Sequence, residues 1–352
     1  MYPNLEINLS KITHNLNVMK NLCKDIKIAG VIKVFCGNPI IAQTLVDGGI
    51  DYLADSRIQN LIKVQSIDAE KILLRLPSHS ETDLVVQYAD ISLNSELSTI
   101  KKLNESAKQY NKHHKIILMV DLGDLREGIF NEPEIFNVVS EVIQCQNIIL
   151  EGLGTNLTCF GGVIPSHDNL NQLVQLQSQL EHRFNIKLNV ISGGNSSSIH
   201  LVQRNEMPNG INHLRLGEAI YFGREAAYLK NIPETFDDAA ILKAEIIEVR
   251  NKPSVPIGTI TFNAFGHIPT FEDKGVIKRA ICAVGRQDIY CESLTPLDEN
   301  IQILGDSSDH LLLHLPLDST YQVGDILSFK VKYQGVLRAM TSEYIDKRYI
   351  KG

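Results

Sequence analysis

The chain has 352 residues, a net charge of -7 and a hydrophobic fraction of 43%. This length exceeds the usual size of one hydrophobic core, so we expect two domains, and the composition is typical of globular proteins. There is no basic stripe that would indicate nucleic-acid binding. No apolar run approaches the roughly 18 residues needed to span a bilayer, so we expect no membrane association.

The cysteines and the amino terminus indicate where the chain works. Six cysteines are present, and none forms a C-x-x-C pair. Their spacing predicts no metal site and fits a reduced compartment better than a disulfide framework. The amino terminus, MYPNLEINLS, lacks the basic and apolar regions of a signal peptide. We therefore expect a cytoplasmic protein.

Short apolar segments alternate with helical patterns in the first two-thirds of the chain. The predicted strands are residues 27–35, 52–54, 71–76, 90–93, 115–121, 148–156, 187–192 and 212–216. Eight strand–helix units predict an α/β protein of the (β/α)8 TIM-barrel type, over residues 10–226. A doubly wound sheet is the alternative, but it rarely needs eight units, and the first βα turn lacks G-x-G-x-x-G.

The pattern changes after residue 226, where helical periodicity fades. Alternating segments predict strands at 240–249, 276–284, 301–304, 311–315 and 326–333, separated by turn signals such as Val323-Gly324-Asp325. We expect a mainly β carboxy-terminal domain over residues 227–352. The opening segment, within residues 1–9, is predicted to be a strand that joins this domain.

Lys33 is the first candidate for chemistry, because TIM barrels place function at the carboxyl ends of their strands. It lies near the end of the first predicted strand, in the sequence VIKVF. A lysine among apolar residues at that position suits Schiff-base formation. The structural alternative is a lysine whose stem is buried and whose ammonium group reaches the rim.

An anion site is predicted after the seventh strand, in the run GGNSSS at 193–198. Glycines let the backbone approach a ligand, and amides at a helix start favour an anion. Phosphate sites of TIM barrels often follow strands seven and eight. A flexible Gly/Ser turn is the alternative.

Two arginines complete the set. Arg215 lies within the eighth strand, where a buried guanidinium needs a partner, either a ligand or a carboxylate. Arg126 follows the fifth strand and could hold a carboxylate, although a solvent-exposed arginine fits this segment equally well. A lysine, an anion loop and an arginine at one barrel mouth match the needs of a Schiff-base cofactor with a phosphate tail.

Several segments resemble those of a known family. The segments are LEINLSKITHNL, GVIKVFCGNP, DYLADSRIQNL, VDLGDLREG, GGNSSS and HLRLGEAIYFG, followed late in the chain by AFGHIPTFEDKG, RAICAVGRQDI and LGDSSDH. By these motifs the chain resembles, over almost its whole length, the alanine racemase superfamily of fold-type III enzymes, which use pyridoxal 5'-phosphate (PLP). The last three segments resemble the ornithine racemase group.

The resemblance implies roles for individual residues. Lys33 would bind PLP as a Schiff base and act as one catalytic base, and Arg215 would face the pyridine nitrogen. Arginine stays protonated, so it would leave that nitrogen unprotonated and favour racemisation over side reactions. Arg126 would bind the substrate. The further cofactor contacts would be Asn156, Asn195, Ser196, Gly217, Glu218 and Tyr344.

The chain also departs from the alanine racemase pattern. Gly37 stands where those enzymes have a tyrosine, Asn156 where they often have a histidine, and Met119 where some have a carbamylated lysine. Phe265-Gly266 replaces the Tyr-Gly pair that supplies the second catalytic base across the dimer. Phenylalanine cannot transfer a proton, so the second base must be another residue, and alanine is disfavoured as the natural substrate.

Histidine suits proton transfer near neutral pH. The segment LGDSSDH matches the one that enters the partner's active site in alanine racemases, and this resemblance makes His310 and Asp309 our candidates for the second base and Ser308 a candidate substrate contact. Other candidate bases are His267, Ser308 and Cys36. Asp309, Asp288 or Asp306 could bind the distal ammonium of a basic amino acid, and Tyr349 is an alternative phosphate partner to Tyr344.

The sequence thus predicts a homodimeric, PLP-dependent amino-acid racemase that acts most readily on ornithine. Lys33 would serve one face of Cα, and a residue of the other subunit would serve the opposite face. The alternatives on this scaffold are a decarboxylase, a D-threonine aldolase or a D-serine dehydratase. A non-catalytic PLP-binding homeostasis protein and a cofactor-free barrel are alternatives of other classes.

Overall fold

The structure is a computed structural model that describes residues 1–352. Its chain divides into two compact units, one of residues 10–237 and one of residues 1–9 and 238–352. The sequence-based boundary had been expected after residue 226. No helix of the molecule combines the length and the apolar character needed to cross a membrane.

The larger unit is a closed barrel of eight parallel strands, which confirms the predicted fold class. The strands are β2 (Lys27–Val31), β3 (Tyr52–Asp55), β4 (Lys71–Leu73), β5 (Ile91–Asn94), β6 (His114–Met119), β7 (Ile148–Gly154), β8 (Val190–Asn195) and β9 (His213–Leu216), preceded in the chain by β1 (Asn4–Asn8) of the other unit. Several strands are buried along their whole length, as parallel strands covered on both faces must be.

Helices cover the outside of the barrel. They are α1 (Leu9–Leu22), α2 (Pro39–Asp47), α3 (Ile58–Lys63), α4 (Thr82–Tyr88), α5 (Leu97–Gln109), α6 (Glu132–Val142), α7 (His167–Phe184), α8 (Ile199–Gln203) and α9 (Glu218–Phe222). Local signals fix their starts: Asn38 caps α2, which has proline at its first position, and Ser166 with Asn169 forms a capping box on α7. An inner apolar cluster fills the barrel, and a second cluster lies beneath the helices.

The smaller unit is mainly β, in agreement with the predicted class. Its elements are β1, β10 (Ala240–Pro253), β11 (Val276–Cys282), β12 (Leu294–Pro296), β13 (Gln302–Asp306), β14 (Leu311–Leu315), β15 (Ile326–Val331), α10 (Tyr333–Thr341) and β16 (Asp346–Ile350). The strand order is β12-β15-β10-β11-β14-β13, and β1 pairs with β10 and β16. Alternating burial along β14 and β15 shows that one face of the sheet forms the core.

Three elements of this unit were not predicted. β12 has three residues, α10 replaces the end of the strand predicted at 326–333, and β16 carries three charged side chains in the sequence DKRYI. Neither β12 nor β16 has the alternation of apolar residues that identifies a strand from sequence.

Candidate active site

Lys33 lies just beyond the carboxyl end of β2. The strand ends at Val31, and residues Ile32–Phe35 form a single 3-10 turn that carries the half-buried lysine. The predicted strand had continued to residue 35, which is wrong. The last residue of β2 that pairs with β3 is Val31, and the last that pairs with β9 is Gly30. No strand pairing therefore holds the following residues in an extended conformation.

Arg215 lies on β9, the other neighbour of β2, with a side chain that is almost fully buried. Its Nη1 contacts the Ser192 hydroxyl, and its Nη2 donates to the Thr155 carbonyl at 2.6 Å. Burial lowers the pKa of Arg215 to about 10, so the group stays protonated at neutral pH. Both partners are neutral oxygens, whereas buried charges in proteins are usually paired with an opposite charge. The guanidinium is therefore available to an electron-rich ligand atom.

Unsatisfied polar atoms lie beside Arg215. The Asn156 side chain is buried, and its Nδ2 has no hydrogen-bond acceptor, nor does the buried Thr155 hydroxyl have a partner. Asn195 orients this region, because its Nδ2 donates to Asn156 Oδ1 at 3.1 Å and to the Leu157 carbonyl at 3.0 Å. A buried donor without an acceptor costs about 1–3 kcal/mol. Such atoms mark a place where a ligand would bind.

Ser196 lies where the loop after β8 meets the start of α9. Its buried hydroxyl accepts from the backbone amides of Gly217 at 3.4 Å and Ala219 at 3.1 Å. The Asn195 side chain caps the same turn by accepting from the Ser197 amide at 2.8 Å. Backbone amides that converge on one oxygen are the arrangement that binds phosphate in many proteins.

Arg126 lies on the loop after β6, and its guanidinium forms a two-point ion pair with the neighbouring Glu127. This hydrogen-bonded pair raises the pKa of Arg126 above its usual range. Glu127 also lies near enough to Arg215 for its charge to favour the protonated guanidinium there. Arg126, Glu127 and Arg215 therefore form one charged group at the barrel mouth.

Sequence analysis did not identify Asp124, which fixes this loop. Burial opposes ionisation of its carboxyl group, but backbone amides of the loop after β7 outweigh it and lower its pKa. The carboxylate accepts from the amides of Thr158 at 3.0 Å, Phe160 at 2.9 Å and Val163 at 3.1 Å. The loops after β6 and β7 are thus joined through one side chain. Thr155, Ser192 and Glu127 were also missed: Thr155 and Ser192 lie outside the quoted motifs, and Glu127 lies within VDLGDLREG, where only Arg126 was assigned a role.

The remaining predicted site residues belong to the smaller unit. Ser308, Asp309 and His310 lie exposed on the turn between β13 and β14, which the Ser307 amide closes by donating to the His310 carbonyl at 2.8 Å. Tyr344 is 65% exposed, in the turn before β16. The roles of these residues in catalysis, substrate binding and phosphate binding remain predictions.

Two carboxylates considered for substrate binding are engaged within the smaller unit. Asp288 is buried and accepts from the Ser342 hydroxyl at 2.6 Å, and Asp306 pairs with Arg286 at 2.8 Å. Asp306 also lies within 4.8 Å of Cys291 and Glu292, a set of metal-ligand types. Arg286 binds Glu292 as well, so a cation of the protein already neutralises both carboxylates.

The donor set at the barrel mouth fits PLP. Lys33 offers an amine for the aldehyde, the amides around Ser196 offer donors for a phosphate, and Arg215 offers a donor for the ring nitrogen. The structure brings Asn156 and Asn195 to the same place. Glu218 begins α9, and its carboxylate pairs with Arg224.

Comparison with known proteins identifies the family. The model of the "Alanine racemase, N-terminal domain" matches residues 7–225, and the chain belongs to the alanine racemase family. The ornithine racemase of Acetoanaerobium sticklandii is 47% identical, with 99% of this chain and all of the relative covered. The lysine racemase of Thermotoga maritima is 38% identical, with 99% of each chain covered.

Solved structures share the whole fold. An alanine racemase from Clostridium difficile superposes with a TM-score of 0.74 at 21% identity, over 100% of this chain and 96% of that one. A D-threonine aldolase from Filomicrobium marinum gives a TM-score of 0.73 at 14% identity, over 97% and 89%. The same architecture therefore occurs in enzymes named for different reactions, and the residues of the site must decide between them.

Proposed function

We propose that this protein is a PLP-dependent amino-acid racemase with ornithine as its preferred substrate. The observation that carries the proposal is Arg215, a buried guanidinium bound only to neutral oxygens at the barrel mouth where Lys33 lies. The similarity to an ornithine racemase and a lysine racemase over the full chain supports the choice of a basic amino acid.

The residues of the barrel would hold the cofactor at three points. When bound, PLP stabilises the negative charge that develops at Cα as its proton leaves. Lys33 would carry the aldehyde and afterwards move the proton at one face of Cα through its Nζ. The Ser196 turn, with the amides of Gly217 and Ala219, would hold the phosphate. Arg215 would donate to the ring nitrogen, with Asn156 and Asn195 beside it.

A racemase needs a proton donor on the opposite face of Cα. In the proposed homodimer, this group comes from the β13–β14 turn of the second subunit, as His310 of the partner subunit or Asp309 of the partner subunit. Ser308 and Tyr344 would contact the substrate and the phosphate. Arg126 would receive the substrate carboxylate, because a guanidinium binds a carboxylate through two parallel hydrogen bonds.

The proposal also assigns a role to each part of the chain and a cellular compartment to the protein. The barrel, expected over residues 10–226, would bind PLP, and the β-rich part would supply the dimer contacts and the second base. Cytoplasmic action is consistent with six cysteines that are all free.

The test is proton exchange at Cα in deuterated water, followed by NMR on the PLP-loaded protein with L-ornithine, L-lysine, L-alanine and L-serine. Exchange with inversion, fastest on ornithine, is the expected result. Exchange without inversion would indicate a single base and therefore another reaction, such as aldol cleavage or decarboxylation. No exchange on any substrate would overturn the proposal in favour of a non-catalytic PLP-binding protein.

A further inference from the structure

The barrel mouth contains three cationic side chains but few carboxylates that could receive a second cation. Lys33, Arg126 and Arg215 belong to the ends of β2, β6 and β9 or to the loops that follow them. Such a group repels the distal ammonium of ornithine or lysine unless a carboxylate compensates it. The proposed function therefore requires an acidic group at this mouth that can bind a ligand.

Most carboxylates near the mouth are fully engaged by the protein. Asp121 accepts from the amides of Gly123 at 2.8 Å and Leu125 at 3.1 Å. Asp124 joins two loops through backbone amides, and Glu218 pairs with Arg224. Glu225 accepts from the amides of Ala227, Tyr228 and Lys230. Asp121, Asp124 and Glu225 hold loops in place through backbone amides, so a ligand could not recruit them without disrupting those loops. Glu218 is held by an arginine side chain instead.

Asp55 has one carboxylate oxygen without a hydrogen-bond partner, but the side chain is fully buried and lies on the outer face of the barrel. Tyr52 and Ala54 of the same strand belong to the inner apolar cluster. Side chains alternate along a strand, so Asp55 faces the helices, where it accepts from Asn60 of α3 at 3.0 Å. Its charge interacts with that of Lys33, but the carboxylate is closed off from solvent, so a substrate ammonium could not reach it.

Glu127 differs from the carboxylates bound to backbone amides in its partner, and from Glu218 in that its charge acts on Arg215. Its only hydrogen-bonding partner is the flexible side chain of Arg126, and its charge also acts on Arg215. The Glu127 side chain is 16% exposed, and that of Arg126 is 42% exposed, so the pair can be reached from solvent. A carboxylate has about four acceptor positions and a two-point arginine pair uses two, so Glu127 retains capacity for an ammonium group.

We propose that Glu127 is a specificity-determining residue that accepts the distal ammonium of a diamino-acid substrate while Arg126 binds its α-carboxylate. This inference rests on the proposed racemase function and adds the group that reads the side chain. Apart from the α-amino group, which reacts at the cofactor, the substrate carries one charge of each sign, and so does the Arg126–Glu127 pair. An ornithine molecule can therefore bind both partners and leave neither charge unpaired, whereas an amino acid with a neutral side chain can satisfy only the arginine.

The experiment compares L-ornithine with L-norvaline, which has the same carbon chain without the distal amine. The measured quantity is the ratio of kcat/KM for ornithine to kcat/KM for norvaline, in wild type and in Glu127→Gln. Loss of a charged hydrogen bond should lower this ratio by roughly 10- to 100-fold. The matched control is Glu141→Gln, the same change in a carboxylate that pairs with Lys101 on the outer helices, which should keep the wild-type ratio.

The outcomes separate this inference from the proposed function. If the wild type racemises neither amino acid, the proposed function itself fails. If Glu127→Gln loses activity on ornithine and norvaline equally, Glu127 merely orients Arg126, and the specificity role is overturned. An unchanged ratio overturns it as well. Should the variant fold poorly, the wild type alone still decides, because a wild-type ratio near one excludes any recognition of the distal ammonium.

Discussion

The two ends of the barrel differ in how completely the protein satisfies its buried polar groups. At the base, where strands begin, Lys71 is buried and its ammonium donates to the carbonyls of Ile67 and Ala69, each at 2.8 Å. Lys115 at the same end pairs with Glu70 at 2.9 Å. At the mouth, Arg215 has two neutral partners, and Asn156 and Thr155 keep buried polar atoms unsatisfied.

This difference teaches which end is built for stability and which for binding. A buried group satisfied by the protein contributes to folding, while one left unsatisfied lowers stability and is kept where a ligand completes it. The exception at the base is His213, whose Nε2 has no protein partner. It borders a cavity of about 150 Å³ with Lys27, Tyr52 and Glu151, which has room for water molecules that could satisfy it.

Replacement of Lys33 is the sharpest test of the contrast between the two ends. Lys33→Ala should reduce racemisation by at least roughly 10³-fold, because a proton-transfer group at Cα is lost. It should also remove the visible absorption band of lysine-bound PLP. Lys115→Ala, the control at the base, should retain activity and the absorption band. Racemisation by a Lys33→Ala protein would refute the central assignment.

Arg215 and Lys71 should respond oppositely to the same change. Arg215→Met removes a buried charge that has no carboxylate partner, but it also leaves the Thr155 carbonyl and the Ser192 hydroxyl without their donor. These effects on stability oppose each other, so the Tm of the PLP-free protein should change little, while PLP affinity falls by roughly 10- to 100-fold. Lys71→Met should leave PLP affinity unchanged and cost about 1–3 kcal/mol of stability, because two carbonyls lose their donor. Thermal melts without PLP and spectroscopic titration with PLP measure both effects. A large drop in the Tm of PLP-free Arg215→Met would show that the arginine is structural.

A buried histidine near the base makes stability depend on pH. Nε2 of His114 and the Ser92 hydroxyl form a hydrogen bond of 2.8 Å. Burial lowers the pKa of His114 from 6.5 to about 4. Below pH 6.5 His114 is protonated in the unfolded chain but stays neutral in the folded chain. Its contribution to the free energy of unfolding is therefore fully present above pH 6.5 and is lost as the pH falls towards 4. The group should therefore cost about 2 kcal/mol of unfolding free energy between pH 7 and pH 5.

Chemical denaturation at pH 7 and pH 5 tests this prediction. The stability loss on acidification should be smaller by that amount in His114→Gln, which cannot titrate in this range. An equal loss in both proteins would mean that His114 protonates without resistance in the folded state. Activity at pH 7 is not expected to distinguish the two proteins, since the residue is remote from the mouth.

The barrel was predictable because each of its strands is an apolar segment followed by a helical pattern. Strand ends were less accurate, because backbone pairing with neighbours decides them: the strand predicted at 27–35 stops at Val31, where pairing stops. β16 was missed for the opposite reason, since its backbone pairs with β1 although its sequence, DKRYI, has no apolar alternation.

The site divides along the same line. Lys33, Ser196 and Arg215 stood out from the sequence because a cation or a Gly/Ser run is unusual at a strand end. Thr155 and Ser192 could not be found that way, since their importance comes from contact with Arg215, which is 60 residues from Thr155 in the chain. Glu127 lies in the motif VDLGDLREG, but the sequence assigned it no role, and its pairing with Arg126 is visible only in three dimensions.

The smallest expected effect concerns the turn at Ser196–Ser198 that is proposed to bind the phosphate. Two of its serines, Ser196 and Ser198, form different kinds of hydrogen bond. The Ser196 hydroxyl collects two backbone amides at the mouth, while the Ser198 hydroxyl donates to the Gly193 carbonyl at 2.6 Å within the turn. Ser196→Ala should weaken PLP binding by roughly 10-fold with little change in Tm, because one hydrogen bond to a charged group is lost. Ser198→Ala should lower the Tm and leave PLP affinity nearly unchanged. Equal PLP affinities in the two variants would remove Ser196 from the phosphate site, and the amides of α9 would then have to hold the phosphate without it.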